Sequence, residues 1–207
     1  FTRLESWKNS PYFFTVQFDS DSTPMSQITV PTTETCSVTF WMDLLLRQRR
    51  PVMLVGNSGC GKTQLVGGLL SQQNPEQVVS ATINFNFYTT SEALRMTLEG
   101  NLEKKTGNTY GPRGSASLVF FLDDLNLPEV DKYDTQSAIA LVRQHIDYQH
   151  WFDPSAPSKG AKTVVGCQYL ACMNPTAGSF SIDPRLQRHF AAFAVGFPGA
   201  TSLLTIY

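Results

Sequence analysis

An excess of charge of either sign is missing from this chain: 16 Lys and Arg stand against 17 Asp and Glu, a formal net charge of −1. That balance gives no electrostatic reason to expect nucleic acid or an anionic membrane as a partner. No run of 18 apolar residues occurs, so no membrane-spanning helix is predicted. Cysteine is scarce, and Cys36, Cys60, Cys167 and Cys172 form no C-x-x-C pair. Of the three histidines, His145 and His150 fall on different faces of any helix that carries both. These absences argue against a zinc site and a disulfide framework and favour the reduced thiols of the cytoplasm. An N-K-x-D guanine motif is also missing, which disfavours a GTPase. The 207 residues suit one domain with a full core. Opening on Phe1 and closing on Tyr207, the sequence reads as a segment of a longer polypeptide.

What is present is concentrated in Gly56-Asn57-Ser58-Gly59-Cys60-Gly61-Lys62-Thr63, which matches G-x-x-x-x-G-K-[ST] at every fixed position. The glycines let the backbone turn its N–H groups toward phosphate oxygens. Lys62 adds positive charge at the β- and γ-phosphates, and the Thr63 hydroxyl suits Mg²⁺. The apolar run at residues 51–55 predicts a buried strand before the loop, and Leu65, Leu69 and Leu70 predict a helix after it. The loop then lies at a helix N-terminus, where free N–H groups and the helix dipole favour an anion.

The remaining periodicity predicts strands and helices in alternation, the pattern of a parallel sheet covered on both faces. Residues 1–31 read as an irregular lead-in whose Phe13, Phe14 and Phe18 pack on something, and residues 32–207 as the core. A helix opens at Thr32 or Thr33, with Val38, Trp41, Met42 and Leu45 as its apolar stripe, and the basic run at 47–50 caps its C-terminal end. A strand follows at 78–85, and residues 89–92 form a capping box for a helix reaching about residue 104. Residues 104–114 read as a loop, 118–122 as a strand, 135–148 as a helix, 153–162 as a loop and 163–173 as one strand. Asp183-Pro184 opens a short helix, and a last strand covers 193–197. Trp41, Phe85, Phe87, Trp151 and Phe152 read as core or interface packing.

Other residues fit a nucleotide site. The strand at 118–122 carries Asp123 and Asp124 to the sheet's carboxyl edge, where Asp123 suits Mg²⁺ and Asp124 suits the γ-phosphate or an attacking water. Many such sites hold glutamate at the second position. Aspartate is one methylene shorter, and a misplacement of about 1 Å costs on the order of 100-fold in rate. Asn174 reads either as a contact to the γ-phosphate or as the turn residue of an Asn-Pro step. Arg185 and Arg188 fall in the first turns of a helix, where the dipole disfavours cations; they read either as surface ion pairs or as an arginine offered to a neighbour's nucleotide, Arg188 ahead of Arg185.

The order of these pieces is informative: the phosphate loop, then Leu122-Asp123-Asp124-Leu125-Asn126-Leu127-Pro128, then Cys172-Met173-Asn174-Pro175-Thr176-Ala177-Gly178-Ser179-Phe180, then Pro184-Arg185-Leu186-Gln187-Arg188-His189-Phe190. It resembles an AAA+ module, and more narrowly the third AAA+ module of an axonemal dynein heavy chain of the outer-arm β type. Tyr88 to Ser91, Tyr110 to Pro112 and Arg143 to Tyr148 add to the likeness. The resemblance implies a large α/β subdomain of the P-loop NTPase class, with a parallel five-stranded sheet in the order 5-1-4-3-2. It implies ATP or ADP with Mg²⁺, contacted by Gly56 to Thr63 (Walker A) and Gln64, with Val30 and Thr32 at the adenine. Asp123 and Asp124 become the Walker B acids, Asn174 sensor 1, and Arg188 the arginine for the adjoining module's site. It further implies a six-module ring, mainly regulatory work by this module, microtubules and dynein light and intermediate chains as partners of the whole, and a place in the cytoskeleton of the ciliary axoneme. The helical lid with its sensor 2 arginine is expected to lie outside these residues. Two other functions fit the same motifs: a structural ring module that holds nucleotide without hydrolysis, and a P-loop phosphotransferase.

Overall fold

The computed structural model describes residues 5–16, 29–154, 160–176 and 182–206. Its centre is a parallel sheet of β1 (Val52–Val55), β2 (Val78–Asn84), β5 (Ser117–Asp123), β8 (Cys167–Met173) and β9 (Ala191–Ala194). The order across the sheet is β9-β1-β8-β5-β2. Counting these five strands alone, that is 5-1-4-3-2, the order expected of an α/β P-loop NTPase of AAA+ type.

The two faces of the sheet follow from the period of two along each strand. Leu118, Phe120 and Leu122 of β5, with Tyr169 and Ala171 of β8, point to one side. There they meet α3 (Ser91–Glu99), α4 (Ser137–Tyr148) and α5 (Pro184–Gln187) through Leu94, Leu98, Ile139, Val142 and Leu186. Val119, Phe121, Leu170 and Cys172 point to the other side, onto α1 (Thr33–Arg47) and α2 (Lys62–Ser71) through Met42, Leu46, Leu65 and Leu69. Burial on both faces explains why β1 and β5 read as unbroken apolar runs.

A second, four-stranded sheet is the main departure from expectation. It joins β3 (Leu102–Thr106), β4 (Thr109–Pro112), β6 (His150–Phe152) and β7 (Ala161–Val164) in the order β3-β4-β7-β6. The stretch 104–114 is therefore a hairpin, turning at Gly107-Asn108 between paired Thr106 and Thr109. The polar residues of β3 concealed it, because four exposed residues in a row give no alternation. The single strand expected at 163–173 is two: Gly166, at φ 75°, breaks the chain between β7 in one sheet and β8 in the other. The expected loop at 153–162 gives up its end to β7, and its residues 155–159 lie outside the described ones.

Helix ends also shift. Thr32 caps α1 in a reciprocal capping box with Thr35. The cap of α3 is Thr90, accepting from Ala93 N, so the box expected at 89–92 does not form; Gly100 ends this helix well short of residue 104. The last strand ends at Ala194 rather than 197. Arg47 pairs with the buried Asp43 at 2.7 Å. Phe85 and Trp151 are core, whereas Trp41 is 43%, Phe87 53% and Phe152 58% exposed, which removes Trp41 from the buried stripe of α1. In the lead-in Tyr12 donates to Asp43 at 2.6 Å, Phe13 is half-buried and Phe14 largely exposed; Phe18 lies outside the described residues. Among the described residues no helix is long and apolar enough to cross a membrane.

Candidate functional site

Parallel strands present their carboxyl ends along one edge, and that edge collects the candidate residues. Gly56 follows β1, Asp123 ends β5 and Asn174 follows β8. Gly56 N donates to Met173 O at 3.2 Å, so the loop starts beside the end of β8. At Gly61 the backbone takes φ 89° as the N-cap of α2, and no side chain caps the helix. The first N–H groups of α2 therefore lack a side-chain partner at the place where an anion would meet them.

Lys62 is curled into the loop. Its Nζ donates to Gly56 O at 2.9 Å and Asn57 O at 3.0 Å and lies 3.8 Å from Cys60 Sγ. A buried ammonium must be satisfied, and here carbonyls serve where phosphate oxygens would. Thr63 Oγ1 donates to Asp123 Oδ2 at 2.9 Å, and Asp123 Oδ1 accepts from Asp124 N at 3.1 Å. A hydroxyl and a carboxylate in contact, aimed at one hollow, fit Mg²⁺, which takes one or two protein oxygens and completes its shell from water and phosphate. Asp124 sits at φ 54°, a left-handed backbone that turns its side chain out of the strand's line. Burial raises its pKa, the charge of Asp123 raises it further, and Lys62 opposes both. A carboxylate poised upward is a better proton acceptor than an ordinary one.

Asn174 Oδ1 accepts from Thr176 N at 3.0 Å and Thr176 Oγ1 at 2.8 Å. The turn reading is thus realised, and the same bonds leave the Nδ2 donor as the group suited to a phosphate oxygen. Asn174, Asp123, Asp124, Lys62, Thr63 and Ser58 line one hollow of about 320 Å³. Gly59, Gly61 and Gln64 belong both to this hollow and to an apolar cleft of about 450 Å³ on the α1 side of the loop. Val30, Thr32, Val38, Phe197 and Ile206 line that cleft. Thr32 is buried, and its hydroxyl is committed to capping α1, so it shapes the cleft rather than reading a ligand with its side chain. The helix α6 (Ala200–Ile206) closes over the cleft, held to α1 by Ser202 Oγ donating to Glu34 Oε2 at 2.6 Å.

Arg188 lines neither cavity. It is the C-cap of the four-residue α5, where a cation is favoured, and not a first-turn residue as the sequence suggested. Its side chain is 64% exposed and its Nη2 lies 3.3 Å from Asp147 Oδ1, which His189 Nε2 also approaches at 2.9 Å. Arg185 meets Asp183 only through its backbone N–H, while Arg143 pairs with Asp183 at 3.6 Å. Sequence reading missed Asn126, whose buried carboxamide touches residue 174, and the Glu34–Ser202 contact; nothing in the pattern marks either, because each joins residues far apart in the chain.

Residues 17–198 match the family described as the P-loop containing dynein motor region. The chain is 54% identical, over 89% of its length, to the ciliary dynein beta chain of Tripneustes gratilla. It is 52% identical over 89% to human dynein axonemal heavy chain 17, and 48% over 99% to human dynein axonemal heavy chain 9. In each case it spans 4% of the relative's length. With the strand order and the edge constellation above, these matches establish that the chain belongs to the P-loop dynein motor family, as an AAA+ module of a dynein heavy chain.

Proposed function

We propose that this chain is the nucleotide-binding core of the third, regulatory module in the ring of an outer-arm β-type axonemal heavy chain. It binds ATP or ADP with Mg²⁺ and turns ATP over slowly. The observation that carries this reading is a pair of cavities that share Gly59, Gly61 and Gln64 as walls: an apolar cleft suited to the base, and a hollow lined by Lys62, Thr63, Asp123, Asp124 and Asn174. Gly56 to Gln64 hold the phosphates, Val30 and Thr32 border the base, and Thr63 and Asp123 hold the metal. Asp124 activates water, Asn174 senses the γ-phosphate, and Arg188, exposed on the surface, serves the adjoining module. The partners are the neighbouring modules of the same heavy chain, with microtubules and light and intermediate chains reached through the rest of it, in the ciliary axoneme. The names of the relatives support that setting.

Calorimetry with Mg-ATP and Mg-ADP tests the binding. Lys62→Ala is expected to abolish measurable affinity, and unchanged affinity in that variant would overturn the phosphate-loop assignment. A module that holds nucleotide without hydrolysis is the second reading, favoured by the short carboxylate of Asp124 on its left-handed backbone. Turnover in the full ring decides it: Asp124→Glu is expected to raise the rate and Asp124→Asn to remove it. A rate identical in both variants and the parent would exclude Asp124 as the base.

A further inference from the structure

The last two carbonyls of β8 and the one that follows are each taken by a different partner. Cys172 O accepts from Leu125 N at 3.0 Å, continuing the ladder with the segment that leaves β5. Met173 O accepts from Gly56 N at 3.2 Å, the start of the phosphate loop. Asn174 O accepts from a side chain, Asn126 Nδ2, at 3.0 Å. Asn126 is wholly buried. The backbone around it is tied down as well: Leu127 N donates to Asp124 O at 3.0 Å, and Gln136 Nε2, from the N-cap of α4, donates to Pro128 O at 2.7 Å. The carboxamide of Asn126 therefore projects from a fixed turn directly after the two acids and grips the main chain of the residue that faces them across the hollow.

We propose that Asn126 is a positioning residue: by binding Asn174 O it sets the distance between the Asn174 amide and the Asp123-Asp124 pair, and so tunes the site for the γ-phosphate. Asn126 lines neither cavity and does not meet the ligand. Its effect is transmitted through Asn174. Pro175 follows Asn174 and carries no N–H, so the chain cannot extend the ladder beyond this point, and the side-chain bond ties the turn to the acid-bearing segment. A positioning group of this kind alters ligand affinity by about tenfold or more when removed, although it never touches the ligand. This inference rests on the nucleotide reading above and deepens it, because it concerns the one phosphate that separates ATP from ADP.

The test compares affinities for ADP and for a non-hydrolysable ATP analogue, both with Mg²⁺, measured on the whole chain by calorimetry. Asn126→Ser shortens the side chain out of reach, and Asn126→Asp keeps its shape but sets a carboxylate oxygen against the carbonyl. Either variant, once circular dichroism shows it folded, is expected to lose about tenfold in affinity for the ATP analogue while ADP changes by less than about twofold. Asn126→Ser combined with Asn174→Ala is expected to be no weaker than Asn174→Ala alone, because the two act on one contact. Equal losses for both nucleotides, or no loss for either, would overturn the positioning role and leave nucleotide binding standing. Failure of the parent chain to bind either nucleotide would instead overturn the phosphate-site reading and the role of Asn126 with it.

Discussion

Gly56 has no room for a side chain. A Cβ there would meet Val195 O at 2.1 Å and Cys60 Sγ at 2.8 Å, and the first of these is backbone that β9 holds in place. Gly56→Ala is therefore expected to push the loop away from β9, with a loss of about 1–3 kcal/mol in urea-denaturation stability and of nucleotide binding, even though Lys62 and Thr63 are untouched. Gly59 and Gly61 are required differently, through left-handed backbone, with a Cβ at Gly59 meeting only the Phe197 ring at 3.8 Å and one at Gly61 meeting nothing within 4 Å. So one motif contains glycines required by crowding and glycines required by conformation, and the string of letters does not separate the two. The acids divide in a similar way. Asp123 is bound to Thr63 and to the next peptide, whereas Asp124 is pushed toward protonation by burial and by Asp123.

At the scale of elements, the second sheet is fastened to α3 by a largely buried charge cluster. Arg95 of α3 lies 3.0 Å from Asp153, and Lys162 of β7 lies 2.9 Å from Glu99 and 3.0 Å from Asp153. Trp151 Nε1 donates to Glu99 Oε1 at 2.8 Å. With Arg95 Nη1 3.5 Å from its Oε1, Glu99 meets two cations and an indole at the end of α3, and it pairs α3 with β6 and β7 at once. Glu99→Ala leaves Lys162 and the buried Trp151 N–H short of a partner, and breaking such a cluster costs about 3 kcal/mol. Thermal unfolding should show the loss as a lower midpoint; a midpoint within a degree or two of the parent would mean that the cluster is decoration. None of this was legible beforehand. Arg95, Glu99, Asp153 and Lys162 belong to no motif in the sequence, and β3, β4, β6 and β7 are too short and too polar to announce themselves. The central strands β1, β5 and β8 were legible because burial on both faces demands apolar runs, and the helices because capping residues such as Thr32 and Asp183 stand where a first turn needs them.

For the molecule as a whole, His145 connects the layers. It is buried on α4, with Nδ1 2.7 Å from the Tyr169 hydroxyl on β8 and Nε2 3.1 Å from Val164 O on β7. A carbonyl partner makes Nε2 the donor, so Nδ1 accepts from Tyr169 and the ring is neutral. Burial holds its pKa below the usual histidine value, with the Val164 carbonyl opposing. The unfolded chain then binds more protons than the folded one just below the ordinary histidine pKa of about 6.5. Stability is expected to be full above that pH, to fall as pH drops through the interval down to the depressed folded-state pKa, and to lose nothing more from this group below it. Urea denaturation across pH 5 to 8 checks the slope, and His145→Gln should flatten it. By itself the sequence determined the phosphate loop and the class of fold, because backbone chemistry at a phosphate and burial on both faces of a sheet demand particular residues at short, fixed spacings, and it carried the family through the likeness of its motifs to those of dynein AAA+ modules. Only the tertiary structure decided that Asn126 grips Asn174, that Glu34 meets Ser202, that Arg188 rests on Asp147, and that a second sheet exists. Those contacts join residues distant in the chain through single hydrogen bonds or ion pairs, which impose no periodicity and become visible only when the strands bring their ends to one edge.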